Sequence, residues 1–200
     1  MAPPVSGHRP PSRLLMTRIL VPVAFWLAGL LAIVDPAGAQ QVEEYQLKAA
    51  VLYHLASFVV WPEPAVSDAS QPFVIGVLGS DPFKAHLDAL ERETVAGRPV
   101  QIRRFADLRG VETAHILFVG ASEDARLPQV LAAIAGRNVL TVGEAEDFAT
   151  DGGIIRWYIE TDRLRFEVNR CAAAFAGLKI SSRILRFARI TPTSCAGGMR

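Results

Sequence analysis

Serine, histidine and arginine are the side chains through which this chain could do chemistry. Gly120-Ala-Ser-Glu-Asp124 places Ser122 just after an apolar run, where a hydrolase would hold its nucleophile, but the second glycine of a G-x-S-x-G elbow is missing. Ser122 reads instead as a helix cap. His54, His86 and His115 could ligate a metal, yet they fall on three separate elements with no acidic or cysteine partner at ligand spacing. His54 reads as part of an apolar helix face and His115 as the start of a buried strand. Gly76-Val-Leu-Gly-Ser-Asp-Pro82 is a strand-to-helix turn whose free amides could hold an anion, but it is not G-x-G-x-x-G, and Asp81 would repel a phosphate. Gly79 therefore reads as turn geometry and Asp81 as a cap. Arg98, Arg103, Arg104 and Arg109 look basic in isolation, while the balanced composition makes them a solvated strand edge. No catalytic residue, metal site or cofactor is expected.

Two features read as recognition surfaces. Trp61 stands at a helix end beside Pro62 and Pro64, where a partly exposed indole would serve as a binding anchor. The polar face of a C-terminal hairpin, with Arg156, Tyr158, Arg165 and Glu167, is the second.

The compartment follows from the first forty residues. Arg13 and Arg18 precede an apolar run, Ile19 to Ile33, which is followed by Ala37-Gly38-Ala39. Positive charge, a short apolar core and a small-x-small triplet have the layout of a secretory signal, with cleavage expected after Ala39 and a true start at Met16 left open. The run is interrupted by Pro22 and short of the roughly 20 apolar residues of a bilayer helix, so no membrane insertion is expected after cleavage. Removing residues 1–39 takes 21 basic and 20 acidic residues to 18 and 19, because Arg9, Arg13, Arg18 and Asp35 go with them. A mature chain of net charge −1 offers nothing that suggests a nucleic-acid partner. Half of the chain is apolar, and the remaining 161 residues suit one cored domain, expected over 40–190, with 191–200 as a flexible tail.

The elements that must position these groups follow from periodicity. Residues 43–60 read as a helix, with Leu47, Ala50, Val51, His54, Leu55, Phe58 and Val59 on one face, ended by Trp61-Pro62. Phe73 to Leu78 suits a buried strand, and Ser80-Asp81-Pro82 opens a helix to about Glu91. Strands follow at Val100 to Phe105, His115 to Val119 and Asn138 to Val142, with a helix between the last two that turns Leu127, Val130, Leu131 and Ile134 inward. Alternating strands and helices predict a layered α/β fold, its mixed sheet largely parallel in the N-terminal half, with helices on the faces.

Ile154 to Glu160 and Leu164 to Asn169 then predict an antiparallel hairpin. Pairing Ile159 with Phe166 and Trp157 with Val168 keeps the apolar residues together and leaves Asp162-Arg163 as the turn. On the other face this register sets Glu160 against Arg165, Tyr158 against Glu167 and Arg156 against Asn169. Arg163 suits a positive-φ turn position poorly.

Only Cys171 and Cys195 are present. A continuous helix from Cys171 to Ile190 would span about 28 Å, beyond the roughly 18 Å that the five-residue step to Cys195 can reach. Gly177 and Ser181-Ser182 are expected to break that helix, so an internal disulfide, an intermolecular bridge and a buried thiol all stay open.

Several segments, taken in order, resemble the YfiR-like periplasmic proteins: Leu47 to Pro62, Phe73 to Phe83, His115 to Val119, Leu140 to Gly143, Gly152-Gly153-Ile154, Phe166 to Asn169 and Ala176 to Ser182. The specificity lies in their order and spacing, over nearly the whole mature chain. The resemblance implies a non-enzymatic periplasmic regulator that represses a membrane-bound diguanylate cyclase by binding its periplasmic sensory part. It further implies sequestration by an outer-membrane lipoprotein, homodimers, and cyclic di-GMP, exopolysaccharide and biofilm as outputs. It brings no catalytic residues. Members often carry cysteine pairs, and a cysteine commonly precedes the Ile-Leu-Phe strand where His115 stands here, which argues against redox control through such a pair. The alternative function is a periplasmic small-molecule-binding sensor, using crevices at the strand ends near Gly79 and Gly143.

Overall fold

The computed structural model describes residues 36–62 and 70–192, with side chains from Glu43 onward. Of the expected leader, only Pro36 to Ala39 fall among them. Residues 193–200, with Cys195 and most of the expected tail, lie outside them.

The compact unit Gln41–Arg200 is organised around one eight-stranded sheet. In chain order the elements are α1 (Pro36–Phe58), β1 (Val59–Val60), β2 (Phe73–Leu78), α2 (Ala85–Asp88), β3 (Thr94–Val95), β4 (Arg98–Phe105), β5 (Ile116–Val119), α3 (Leu127–Ala133), β6 (Leu140–Gly143), β7 (Ile155–Glu160), β8 (Arg163–Val168), α4 (Arg170–Phe175), β9 (Lys179–Ile180), α5 (Ser182–Leu185) and β10 (Ala188–Ile190). Across the sheet the order is β10-β8-β7-β6-β5-β2-β4-β3, with β1 and β9 forming a separate antiparallel pair. Strands β4, β2, β5, β6 and β7 run parallel in succession, β7 and β8 form the antiparallel hairpin, and β10 adds parallel to β8. This is the layered α/β fold with a mixed sheet that the alternation of elements predicts.

The central strands read as unbroken apolar runs because both of their faces are covered. Phe73, Ile75, Val77, Ile116, Phe118, Leu140 and Val142 point into one core with α1 residues Leu52 and Leu55. Val74, Leu78, Leu117 and Val119 point into another with Val130, Leu131 and Ile134 on and after α3. Periodicity thus assigns the inward face of α3 correctly.

It assigns the face of α1 only in part: Leu55 and Val59 are buried, and Val51 and Phe58 pack against the core, as expected. Leu47, Ala50 and His54 are exposed, whereas Lys48, Ala49, Leu52, Leu55 and Ala56 are buried. The segment is apolar almost all round, so spacing alone does not choose a stripe. Packing against the sheet makes the choice: Ala49, Leu52, Leu55 and Ala56 enter the core, and Lys48 goes under beside them with its ammonium held by Glu44 and by Glu144, one residue past β6. Two carboxylates offset the cost of burying that charge.

The hairpin register differs from the expected one by two residues. Trp157 stands opposite Phe166 and Ile159 opposite Leu164, so the turn is Thr161-Asp162, with φ of 52° and 56°. A shift of two keeps each side chain on its face, so the apolar pattern could not distinguish the registers. The turn decides. Both its central residues need positive φ, which Asp tolerates and Arg163 does not have to adopt.

The helix expected to end near Glu91 is a short α2 followed by a 3-10 turn, Ala89–Arg92. Asp81 does not cap α2, whose N-cap is Lys84; it closes the preceding turn, accepting from the backbone N–H groups of Phe83 at 2.8 Å and Lys84 at 3.1 Å. Ser122 is not a cap. Its Oγ accepts from the Ser80 N–H at 2.9 Å, tying together the loops that follow β5 and β2. Cys171 is disulfide-bonded, and among the described residues no cysteine is free.

Candidate partner-binding surface

Among the described residues, the α3 side of the sheet is covered only as far as β6. The apolar cluster that closes the α3 side takes none of its members from β7, β8 or β10. On that side these three strands present polar side chains, fixed by the pleat: Arg156, Tyr158 and Glu160 from β7, Arg163, Arg165 and Glu167 from β8, and Arg189 from β10. Their opposite faces supply Ile155, Trp157 and Val168 to the core.

All four hairpin residues singled out from the sequence therefore share one surface, with pairings set by the observed register. Arg156 stands opposite Glu167, Tyr158 opposite Arg165 and Glu160 opposite Arg163. Glu167 lies at the centre and is only 8% exposed. It receives Arg156 Nη1 at 3.4 Å and the Thr191 hydroxyl, which donates to Oε1 at 3.3 Å. Glu167 is thus an organising carboxylate, not one presented to a partner. Arg165 reaches diagonally to Glu160, Nε to Oε2, at 3.5 Å. The ring of Tyr158 is approached by two guanidinium groups, Arg156 at 4.7 Å and Arg189 at 5.6 Å from its centroid. Arg189, which the sequence reading missed, joins the surface only through the pairing of β10 with β8. That pairing connects strands separated by α4, β9 and α5, and no local pattern announces it.

Trp61 is not part of this surface. Expected at an exposed helix end, it is 7% exposed and packs edge-on against Phe73 with ring centroids 5.3 Å apart. The chain continues from α1 into β1, which pairs with β9 and carries Trp61 over the core instead of into solvent. Its indole N–H has no hydrogen-bond partner among the described residues.

The other sequence candidates are occupied structurally. His115 Nδ1 accepts from the Val74 N–H at 3.1 Å, and its ring stacks on Phe73 at 4.6 Å. Arg104 pairs with Asp81 and Asp88, and Arg109 with Asp107. The Arg109 guanidinium and backbone N–H hold the exposed Asp107 carboxyl down at about 2. Arg98 departs from the expected solvated edge: it is buried and donates to the carbonyls of Gln71 at 2.8 Å and Pro72 at 3.0 Å. No group of histidine, cysteine and acidic side chains that could hold a metal occurs among the described residues.

The two strand ends expected to offer crevices are closely packed at their glycines. A Cβ at Gly120 would lie 2.3 Å from the Ser80 carbonyl, so the loops after β2 and β5 are in direct contact where strand order reverses. At Gly143 a Cβ would lie 2.4 Å from the Phe148 ring, which occupies the end of β6.

The family comparison decides the reading of this architecture. The YfiR/HmsC-like family model matches residues 45–189, a span that contains the sheet except for Ile190, the last residue of β10. The chain belongs to the YfiR/HmsC-like family. At the level of that family it is a periplasmic regulator of diguanylate cyclases, and the family is regulatory and non-catalytic. No curated protein matches the sequence. Among solved structures, one described as the crystal structure of the ABC domain in complex with L-Trp from Streptococcus pneumonia aligns at 14% identity and a TM-score of 0.48, covering 74% of this chain. The chain spans 60% of that structure's own length, and a similarity of this size carries no functional argument. Among the described residues of this YfiR/HmsC-like chain, no helix is long and apolar enough to cross a membrane.

Proposed function

We propose that residues 1–39 are an export signal and that the mature domain is a periplasmic repressor, which binds the periplasmic sensory part of an inner-membrane diguanylate cyclase. Repression lowers cyclic di-GMP and with it exopolysaccharide and biofilm. An outer-membrane lipoprotein relieves it by sequestering the regulator, which acts as a homodimer. The observation that carries this reading is the family match across 45–189. The polar face of β7, β8 and β10 supports it, since a sheet face with ordered charges and no covering helix among the described residues suits contact with another protein.

Residues 40–200, exported and affinity-tagged, are expected to co-purify with the periplasmic segment of one membrane diguanylate cyclase from the source bacterium. Arg156, Tyr158 and Arg165 are the contact candidates. Glu167 acts by holding the surface in shape, and Trp61 belongs to the core instead. Arg165→Glu should weaken the complex with the melting temperature unchanged, and equal binding by that folded variant would place the interface elsewhere.

A further inference from the structure

The β7, β8 and β10 face is locally cationic on a chain that is nearly neutral. Arg156, Arg163, Arg165 and Arg189 share it with only Glu160 and Glu167, and Arg186 stands two residues before β10, whereas the whole sequence carries a formal charge of +1. Its charges are not equally engaged. Glu167 is taken by Arg156 and Glu160 by Arg165. Arg163, Arg186 and Arg189 are exposed, and no carboxylate among the described residues lies within ion-pair distance of them. Next to this edge Phe187 is 71% exposed, with the Arg186 guanidinium carbon 6.0 Å from its ring centroid.

Resting on the partner-binding reading above, we infer that the occupant of this face is an acidic protein surface. Its carboxylates meet Arg163, Arg186 and Arg189, and an apolar spot receives Phe187. Guanidinium groups lying over aromatic rings keep their N–H edges available for planar, bidentate acceptors, and carboxylates match that geometry. A polyanionic strand would favour an unbroken row of free cations. Here the row is interrupted by the buried Glu167, and beside it stands Phe187, the most exposed of the large apolar side chains among the described residues, a mixture that fits a protein interface better. Surplus charge at the rim of an interface acts mainly on the association rate, and salt screens it over about 10 Å at 0.1 M.

The test uses the exported full domain and the double variant Arg163→Glu with Arg189→Glu, whose exposed positions leave the core untouched. Binding kinetics are measured at low and high salt against immobilised periplasmic segments of the source bacterium's membrane diguanylate cyclases. Poly-L-glutamate and alginate serve as control probes. The inference expects one segment to bind, the double variant to bind it at least about tenfold more weakly through a slower on-rate, and salt to erase most of that difference. Phe187→Ala should raise the off-rate instead. A segment bound equally by both proteins and insensitive to salt would overturn the acidic-partner inference while leaving cyclase binding intact. If no segment binds, the cyclase reading fails. Charge-dependent retention on poly-L-glutamate but not alginate would then still support an acidic polypeptide partner, and equal retention on both, or on neither, would overturn it.

Discussion

Arg156 and Glu167 face each other across the β7–β8 hairpin with Nη1 and Oε2 3.4 Å apart, both largely buried. Their pairing fixes the centre of the proposed surface, because Glu167 also takes the Thr191 hydroxyl from the segment that follows β10. One carboxylate thus ties together the hairpin and the end of the edge strand. Removing it would leave a guanidinium and a hydroxyl without their acceptor.

Glu167→Ala is therefore expected to lower stability by about 1–3 kcal/mol, the usual cost of leaving buried polar groups unsatisfied. Urea denaturation checks this. Arg163→Glu, at an exposed position of the same face, should change stability by no more than about 0.5 kcal/mol. Equal losses in the two variants would contradict the organising role given to Glu167.

The ion pairs of Lys48 offer a second contrast. Lys48 is buried between Glu44 and Glu144, so Glu144→Ala removes one partner and leaves a buried charge less well compensated. A loss of about 1–3 kcal/mol is expected. Lys48→Met keeps the buried volume apolar and leaves both carboxylates near solvent, so its effect should be under about 1 kcal/mol. Chemical denaturation of both variants decides the order, and the reverse order would show that the pair is strongly stabilising in itself.

Tyr45 sets an alkaline limit. Its hydroxyl donates to Glu144 Oε2 at 3.1 Å, and burial, then the charge and hydrogen bond of Glu144, push its ionisation well above the usual tyrosine range. An acid whose folded pKa is raised contributes stability that is fully present below its unfolded pKa and is lost as pH rises through the interval up to the folded value. Stability should thus fall above pH 10, and less steeply in Tyr45→Phe. Melting curves between pH 8 and about 11 test this, and parallel curves for the two proteins would remove Tyr45 as the cause.

The Thr161-Asp162 turn holds two non-glycine residues at positive φ. Replacing the pair by Asn-Gly, the preferred type I′ sequence, should stabilise the domain by about 0.5–1 kcal/mol. A loss on thermal unfolding would argue for the alternative turn at Asp162-Arg163.

What was legible in the sequence was whatever a local period carries. The buried strands from Phe73, Ile116 and Leu140 and the inward face of α3 could be read because their apolar patterns meet only one reasonable environment. The α1 face could not be read in full, because packing against the sheet makes that choice, and the partner that lets Lys48 go under with it, Glu144, lies ninety-six residues away. The hairpin's polar face was legible to within its register, which two residues of turn geometry decide. Trp61 misled because a tryptophan beside prolines gives no sign of the β1–β9 pairing that carries it inward. Arg189 was invisible for a similar reason, since the edge strand that delivers it to Tyr158 is only three residues long.

The most direct test of the central claim is intracellular cyclic di-GMP in the source bacterium with and without this gene. The regulator reading predicts a rise on deletion, reversed by the exported form and not by the same domain lacking residues 1–39. A level unchanged by deletion across growth conditions in which the gene is expressed would contradict repression of a cyclase.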